Sequence, residues 1–263
     1  MQSPTFDRIL IRPAAVLAMA VVMLAATTGG PTASANEHEA KTVLITGANR
    51  GLGLEFAKQY AAAGWHVIGT ARTPSEADEL KALDVDVRQL DVADSESIAR
   101  LARDLGDRPI DLLINNAGIF PRVSTLEEVD FDDVERTYAV NTIGPMRVTR
   151  ALLPNLERGS AKQIVSITSG LGSIENNTRG MYYGYRESKA ALNMFTRTLA
   201  VELADAGFTC IVMSPGWVQT DMGGPNANLT PEQSITGMRA VIDGLTPADT
   251  GTYWNHDGTK LPW

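Results

Sequence analysis

The chain has very few of the residues that build disulfides and metal sites. Cys210 is its single cysteine among 263 residues, so it forms no internal disulfide and holds no multi-thiolate metal site. The three histidines, His38, His66 and His256, are scattered and lack the short spacings of metal ligands. The sequence therefore predicts no metal site.

Positive charge is also scarce. The chain has 23 Lys and Arg against 31 Asp and Glu, and its formal net charge is −8 at pH 7. A nucleic-acid groove needs a basic face against the phosphate backbone, so this balance argues against a nucleic-acid partner. Runs of like charge and repeats of solenoid period are absent. With 44% hydrophobic and 21% charged residues, the composition is typical of one large globular domain with a well-buried core.

The long hydrophobic run near the N-terminus is too short to cross a bilayer comfortably, which takes about 20 apolar residues. Two arginines precede an unbroken apolar stretch at 14–26, and a segment interrupted by Gly and Pro follows it. An Ala-Ser-Ala sequence at 33–35 matches the small-x-small pattern that a signal peptidase reads. We therefore interpret residues 1–35 as a signal peptide or hydrophobic leader, with no stable membrane span once it is removed. An uncleaved anchor and a mis-assigned start site are the alternatives.

Short apolar runs alternate with amphipathic stretches in the remaining segment, residues 36–263. Helices are predicted at 51–63 and 95–105 and over a long stretch at 131–156, in which Pro145 and Pro154 predict a kink and an end. Strands that alternate with helices and lack period-2 polarity indicate a parallel sheet that is covered on both faces. We predict a single α/β domain, a Rossmann-like doubly wound sheet of about seven strands that binds ligands beyond the carboxyl ends of its strands. Predicted strands are 42–45, 66–69, 85–90, 110–114, 163–167 and 209–213.

A glycine-rich turn follows the first predicted strand. Residues 46–53 read Thr-Gly-Ala-Asn-Arg-Gly-Leu-Gly and lead directly into the first predicted helix. Glycines allow a tight turn and close backbone approach, and the helix N-terminus favours phosphate through its free N–H groups and its dipole. The position between a strand and a helix is the context expected of a nucleotide-binding loop.

A tyrosine and a lysine, Tyr185 and Lys189, lie four residues apart at the start of another predicted helix. Residues with this spacing lie on one helix face. A phenol titrates near ~10 in water, and an ammonium held close to it lowers that pKa toward neutrality. Tyr185 is therefore a candidate acid or base at physiological pH. The neighbouring Tyr182 and Tyr183 have no lysine four residues further on.

These motifs, taken in order, resemble the short-chain dehydrogenase/reductase family. The loop spacing is Thr-Gly-x-x-x-Gly-x-Gly rather than the more common Gly-x-Gly-x-x-Gly. The resemblance runs from about Thr42 to the end of the chain. Within the family, segments 188–193, 215–222 and 257–263 look most like the sniffer and C-factor branch of carbonyl reductases. The other matching positions are Asp91-Val92, Asn115 to Gly118, Asn141, Ser169, Tyr185 with Lys189, and Pro215-Gly216.

The resemblance implies four catalytic residues. Ser169 hydrogen-bonds the substrate carbonyl, and Tyr185 gives a proton to the developing alkoxide while a hydride moves from the nicotinamide. Lys189 lowers the phenol pKa and bonds the nicotinamide ribose. Asn141 supports a water molecule that is linked to Lys189.

The choice of Ser169 rests on the family pattern. Ser166 and Thr168 are nearby hydroxyls, and strand alternation by itself does not decide among the three. The distance from Ser169 to Tyr185 is slightly longer than the family's common spacing. Residues 170–184 are therefore predicted to bulge.

The second predicted strand indicates which dinucleotide is bound. An NAD enzyme usually places a carboxylate after this strand, for the ribose 2′-hydroxyl. Here Arg72 follows it, with a guanidinium suited to a 2′-phosphate, and Arg50 adds positive charge in the glycine loop. Since basic residues at these places go with NADP in the family, we predict NADP(H) rather than NAD(H). The cofactor contacts implied are Thr46, Gly47, Asn49, Arg50, Gly51, Leu52, Gly53, Arg72, Asp91, Val92, Asn115, Ala117, Gly118, Tyr185, Lys189, Pro215, Gly216, Val218 and Thr220.

The predicted function is NADP(H)-dependent hydride transfer between nicotinamide and a carbonyl or alcohol substrate. A non-catalytic NADP-binding sensor or signalling protein is the alternative, and a dehydratase or epimerase is a third hypothesis.

Residues 223–236 are predicted to form a mobile loop over the substrate, and no residue in this loop indicates a charged substrate. Met181, Trp217 and Met222 either line the pocket or belong to the core.

Assembly and compartment are also predicted. Family members are mostly dimers or tetramers built on their long helices, so we expect a homodimer or homotetramer. The leader predicts an exported or periplasmic protein. NADPH is a cytosolic cofactor, however, and it favours the cytoplasm as the alternative.

Overall fold

The computed structural model describes residues 40–263. The leader at 1–35 and its cleavage site lie outside the described residues, so the leader and the compartment stay predictions. Among the residues described, none of the helices is both long and apolar enough to span a membrane.

The core of the domain is one seven-stranded sheet. Its order is β3-β2-β1-β4-β5-β6-β7, and every neighbouring pair is parallel. The predicted doubly wound parallel sheet is therefore confirmed. The seventh strand was not located from the sequence because it has only three residues. The strands are β1 (Thr42–Ile45), β2 (His66–Ala71), β3 (Asp86–Gln89), β4 (Leu112–Asn115), β5 (Gln163–Ile167), β6 (Thr209–Ser214) and β7 (Tyr253–Asn255).

Helices cover both faces of this sheet. Successive strand residues point to opposite faces, so Val43 and Ile45 pack with α1 and α7 while Leu44 packs with α3, α5 and α6. The central strand β1 is buried at every position, as a sheet covered on both faces requires. The helices are α1 (Gly51–Ala62), α2 (Asp78–Lys81), α3 (Ser95–Leu105), α4 (Phe131–Tyr138), α5 (Gly144–Arg158), α6 (Tyr185–Glu202) and α7 (Pro231–Asp243).

The long helical stretch predicted at 131–156 is divided into three parts. A π-helical segment, Ala139–Ile143, separates α4 from α5, so the break falls just before Pro145. Pro145 stands in the first turn of α5, where a missing N–H is tolerated. The prediction that Pro154 ends the helix is wrong, because α5 continues through it to Arg158. Segments of π-helix are frequent at functional sites.

The predicted mobile loop at 223–236 is also shorter than expected. Pro231 begins α7, and Thr230 caps it in a reciprocal pair of hydrogen bonds with Gln233. The Gly- and Asn-rich composition belongs to the loop, whereas the segment after Thr230 has the Thr-x-x-Gln pattern of a helix start.

A buried carboxylate joins three segments at the amino edge of the sheet. Asp111 Oδ2 accepts a hydrogen bond from Thr42 N at 2.8 Å, and Oδ1 accepts from the backbone N and Oγ of Ser160, each at 2.7 Å. The backbone N of Ala161 is a further donor to Oδ1 at 3.2 Å. Burial acts to raise the pKa of Asp111, but these hydrogen bonds outweigh it and lower the pKa.

We expect Asp111→Asn to lower the free energy of unfolding at pH 7 by about 1–3 kcal/mol, because buried donors lose their acceptor. The folded pKa lies below the unfolded one, so the carboxylate contributes above about pH 4 and its contribution is lost as the pH falls further. Urea unfolding at neutral and acid pH should show the gap to the wild type closing in acid. The exposed Asp84→Asn is the control and should match the wild type. A gap that stays constant with pH would contradict this account.

Candidate active site

The predicted site residues come together at the carboxyl edge of the sheet. The glycine loop follows β1, residues 116–119 follow β4, Ser169 follows β5, and the Pro215-Gly216 turn follows β6. Tyr185 and Lys189 approach the same edge from the first turns of α6. This is where parallel α/β sheets bind their ligands.

Two glycines shape the loop after β1. Gly47 has a φ of +66° and faces Ala117, where a Cβ would lie 3.1 Å from the Cα of that alanine. Gly53 packs so closely that a Cβ would collide with the carbonyl oxygen of Gly47. The loop thus brings the start of α1 directly against the backbone that follows β1.

Thr46 and Asn116 hold two of the loops together. Thr46 Oγ1 accepts hydrogen bonds from Asn116 N at 2.9 Å and Ala117 N at 3.0 Å. Asn116 Nδ2 donates to the carbonyl oxygens of Thr46 at 2.8 Å and Gly47 at 3.1 Å. Asn116 lies within the matching segment Asn115 to Gly118 but was not itself predicted as a cofactor contact or catalytic residue. The Thr46 side chain is directed at its own protein and shapes the loop.

The Asn115 side chain turns away from this edge. It is buried, and its Nδ2 donates to Thr149 Oγ1 on α5 at 3.2 Å. The Asn115 side chain therefore connects β4 to α5. The predicted cofactor contact of Asn115 would have to be made by its backbone. Asp91, predicted to contact the cofactor, accepts a hydrogen bond from Ala93 N at 2.9 Å in its own turn.

Tyr185 and Lys189 are both almost completely buried. Burial raises the pKa of Tyr185 to about 12, and a side-chain hydrogen bond with Ser169 opposes the rise. Burial also lowers the pKa of Lys189 to about 8. Lys189 Nζ donates to Ile167 O at 2.8 Å and lies 5.8 Å from the centre of the Tyr185 ring. The expectation that Lys189 brings the Tyr185 pKa toward neutrality is wrong here, because removal from water dominates.

Among the three hydroxyls of β5 and its end, the structure brings Ser169 to Tyr185. Ser166 Oγ is buried against α6, where Thr196 Oγ1 donates to it at 3.0 Å. Thr168 is buried as well, and its hydroxyl donates to Lys189 O at 3.4 Å. Ser169 stands beyond the last strand residue and caps a short 3₁₀ turn by accepting from Leu171 N at 3.2 Å.

Asn141 lies in the π-helical segment and is fully buried. Its Oδ1 accepts from Ile119 N at 2.9 Å, and its Nδ2 donates to Ile119 O at 2.9 Å and to Ser188 Oγ at 3.1 Å. A Cβ on Gly118 would lie 3.3 Å from Asn141 Oδ1 and 3.6 Å from Lys189 Nζ. Asn141 and Lys189 therefore meet at Gly118, and the predicted water link stays a prediction.

The two predicted phosphate-binding arginines have different surroundings. Arg72 follows β2, is exposed, and makes no ion pair within residues 40–263. Arg50 stands just before α1, and its Nη1 lies 3.0 Å from Asp221 Oδ2 in the segment after β6. This pair is exposed, and such pairs are weak.

The segment after β6 reaches back to the glycine loop. Gly216 has a φ of +76°, and Val218 is buried where it pairs with Leu229. The methyl group of Thr220 would lie 3.4 Å from a Cβ on Gly51, and the Thr220 hydroxyl accepts from Gly223 N at 3.1 Å. The loops after β1 and β6 therefore border the same cleft.

The predicted bulge before α6 contains a left-handed turn. Gly180, Met181 and Tyr182 have φ values of 65°, 65° and 60°. For a residue with a Cβ, this conformation costs roughly 1–2 kcal/mol. Met181 is 41% exposed, so its core interpretation is wrong, and the same holds for the 55% exposed Trp217 and the 37% exposed Met222.

Phe120 is a second site residue that the sequence interpretation missed. Its ring centre lies 4.3 Å from that of Tyr185 and 5.1 Å from that of Tyr182. The Arg122 guanidinium lies 5.5 Å from the centre of the Phe120 ring, and it donates to Met222 O at 2.6 Å. The loop after β4 thereby contacts both Tyr185 and the segment after β6.

Comparisons with known proteins agree with this arrangement. Residues 41–229 match the family model described as short chain dehydrogenase. The chain is 47% identical to the C-signal of Myxococcus xanthus over 155 residues, which cover 59% of this chain and 93% of that protein. It is 34% identical to the 1-hydroxy-2-glutathionyl-2-methyl-3-butene dehydrogenase of Rhodococcus, with 84% of this chain and 99% of that protein covered.

Solved structures give the same result. The carbonyl reductase Sniffer of D. melanogaster aligns with a TM-score of 0.79 at 33% identity, covering 85% of this chain and 100% of that one. An NADPH-bound carbonyl reductase from chicken fatty liver aligns with a TM-score of 0.80 at 35% identity, covering 85% and 99%. The glycine loop, the buried Tyr185 and Lys189, and these matches agree with one another. The chain is a member of the short-chain dehydrogenase family of oxidoreductases.

Proposed function

We propose that this oxidoreductase uses NADP(H) to interconvert small or apolar carbonyl compounds and their alcohols. The observation that carries the proposal is that Ser169, Tyr185 and Lys189 meet beside a glycine loop at one edge of the sheet. A binding protein has no need of this set. An NADPH-bound neighbour at 35% identity supports the choice of dinucleotide.

The residues of the cleft fit such a dinucleotide. Glycines stand at 47, 51 and 118, where a bound dinucleotide would come close to the backbone. The N-terminus of α1 offers free N–H groups for its phosphates. Arg72 is exposed after β2, forms no ion pair among the described residues, and carries a guanidinium suited to a 2′-phosphate, which supports NADP(H). The bound cofactor would supply the hydride.

The chain's own residues manage the proton. With its pKa raised to about 12, Tyr185 is neutral at pH 7 and holds the proton that a developing alkoxide needs. Ser169 donates a hydrogen bond to the carbonyl oxygen and so orients it toward Tyr185. Lys189, with a pKa of about 8, is largely charged at pH 7 and stabilises the phenolate that remains after proton transfer.

A signalling role on the same fold is the second candidate, and one comparison favours it. The C-signal of Myxococcus xanthus shares 47% identity over 155 residues with this chain. Oxidation of NADPH by the purified protein with a panel of aldehydes, ketones and quinones separates the two candidates. Turnover supports the reductase, whereas NADPH binding without turnover supports the signalling role.

Tyr185→Phe tests the proton donor. We expect kcat for carbonyl reduction to fall by about 10²- to 10⁴-fold, the usual contribution of a positioned acid. The Kd for NADPH, measured by fluorescence titration, should stay nearly unchanged because only a hydroxyl is removed. Tyr183→Phe is the matched control and should keep wild-type kcat, since Tyr183 has no lysine four residues on. Wild-type kcat in the Tyr185 variant would rule the mechanism out.

Arg72→Ala tests the preference for NADP(H). Loss of a charged hydrogen bond worth about 1.5–3 kcal/mol should raise the KM for NADPH by about tenfold or more and leave the KM for NADH unchanged. Asp221→Asn should lower the KM for NADPH, because it releases Arg50 from its ion pair. The exposed Arg103→Ala on α3 is the control. Equal effects on both cofactors would contradict the role of Arg72.

We also propose a homodimer formed through α5 and α6. Met146 on α5 and Met194 and Val201 on α6 are large apolar residues left exposed on these helices, and the latter two are 67% and 70% exposed. Residues seven apart share one helix face. Met194→Glu with Val201→Glu should halve the mass in sedimentation velocity, while Leu126→Glu, also exposed, should not. An unchanged mass in the double variant contradicts this interface.

A further inference from the structure

A strained turn directly precedes the catalytic helix. Residues 180–182 adopt left-handed backbone in succession, and two of the three carry a side chain. Such a conformation persists only where surrounding contacts enforce it, and it is often found at ligand sites. Elsewhere in residues 40–263, Lys162, with a φ of 49°, is the other residue with a Cβ in this region.

One side chain donates two hydrogen bonds to the turn and a third to the start of the same loop. Arg186 Nε donates to the carbonyl oxygens of Gly180 and Met181, each at 3.0 Å, and Nη1 donates to Leu171 O at 3.2 Å. The guanidinium thereby joins the two ends of the loop between Ser169 and α6. Among the described residues it pairs with no carboxylate, so backbone carbonyls are its partners. A planar fork of donors makes these bonds, and a lysine ammonium lacks that geometry.

The turn is also packed against the catalytic tyrosine through Phe120. Tyr182 N donates to Val123 O at 2.7 Å, and the Tyr182 ring lies edge-on to Phe120 at 5.1 Å between ring centres. Phe120 in turn lies 4.3 Å from Tyr185. We call Tyr182, Phe120 and Tyr185 the aromatic row. Met181 directly precedes Tyr182 in the chain and is 41% exposed.

We propose that Arg186 is a positioning residue that holds the left-handed turn so that Met181 and the aromatic row form an apolar wall for the substrate. This inference rests on the proposed carbonyl reductase function and names its substrate class: carbonyl compounds with an aromatic or bulky apolar group. The carbonyl end of such a compound reaches Ser169 and Tyr185, and its apolar end packs on the wall. Small aldehydes reach the same hydroxyls without contacting Met181, Tyr182 or Phe120.

Steady-state reduction of two substrates by NADPH, an aromatic ketone and a short aliphatic aldehyde, tests the wall. In Arg186→Met the KM for the ketone should rise by about tenfold, with a much smaller rise for the aldehyde and little change in kcat, because ground-state and transition-state contacts are lost together. Arg186→Lys should behave like Arg186→Met, since the fork and not the charge is required. Equal increases in KM for both substrates, or none, would overturn the proposal.

Two glycine variants distinguish a contact with the substrate from the effect of backbone strain on stability. Met181→Gly removes both the strain and the side chain, so it should raise Tm and also raise the KM for the ketone by a few-fold. Lys162→Gly relieves the same kind of strain far from the cleft and should raise Tm without changing either KM. If Met181→Gly left the KM for the ketone unchanged, Met181 would not belong to the wall and the proposal would be wrong.

Hydrogen exchange keeps the test independent of the proposed reaction. The Tyr182 amide, which is bonded to Val123 O, should exchange faster in Arg186→Met than in the wild type, while amides of α3 should not change. A wild-type protein that reduces no carbonyl compound would refute the proposed function and the substrate class with it. Unchanged exchange at Tyr182 would refute the positioning role of Arg186 by itself.

Discussion

The site depends on the removal of two ionisable side chains, Tyr185 and Lys189, from water at one edge of the sheet. Burial disfavours the charged form of each, which raises the pKa of the phenol to about 12 and lowers that of the ammonium to about 8. Tyr185 is consequently protonated at neutral pH, whereas the pKa of Lys189 lies close to neutral pH. A pair in this state is suited to protonate an alkoxide and then to receive the proton back.

The surrounding loops are joined to one another, and this joining keeps the buried pair in place. Thr46 and Asn116 connect the loops after β1 and β4 through four hydrogen bonds. Asn141 connects the next part of the second loop to α6 through Ile119 and Ser188. Short polar side chains therefore fix the cleft on the side of the sheet where backbone groups would otherwise lack partners.

The architecture could be predicted from the sequence because its signals are local. Apolar strands, the glycine spacing and the pair at Tyr185 and Lys189 each identify an element or a site within a few residues. The misses depend on distant contacts: the direction of the Tyr185 pKa shift follows from burial, which spacing does not report. Phe120 and Arg186 carry no motif, and their roles come from a ring and a set of carbonyls that the fold brings to them.

The π-helical segment between α4 and α5 also determines the direction in which Asn141 points from the helix axis. Such a segment accommodates one residue more than a regular turn does, and each residue of an α-helix advances the chain by roughly 100° about the axis. Without the additional residue, α4 and α5 would merge into one straight cylinder, and Asn141 would rotate away from Gly118 and Lys189. The π-helical segment thus allows α5 to pack its apolar residues against the sheet while Asn141 directs its amide toward Gly118 and Lys189.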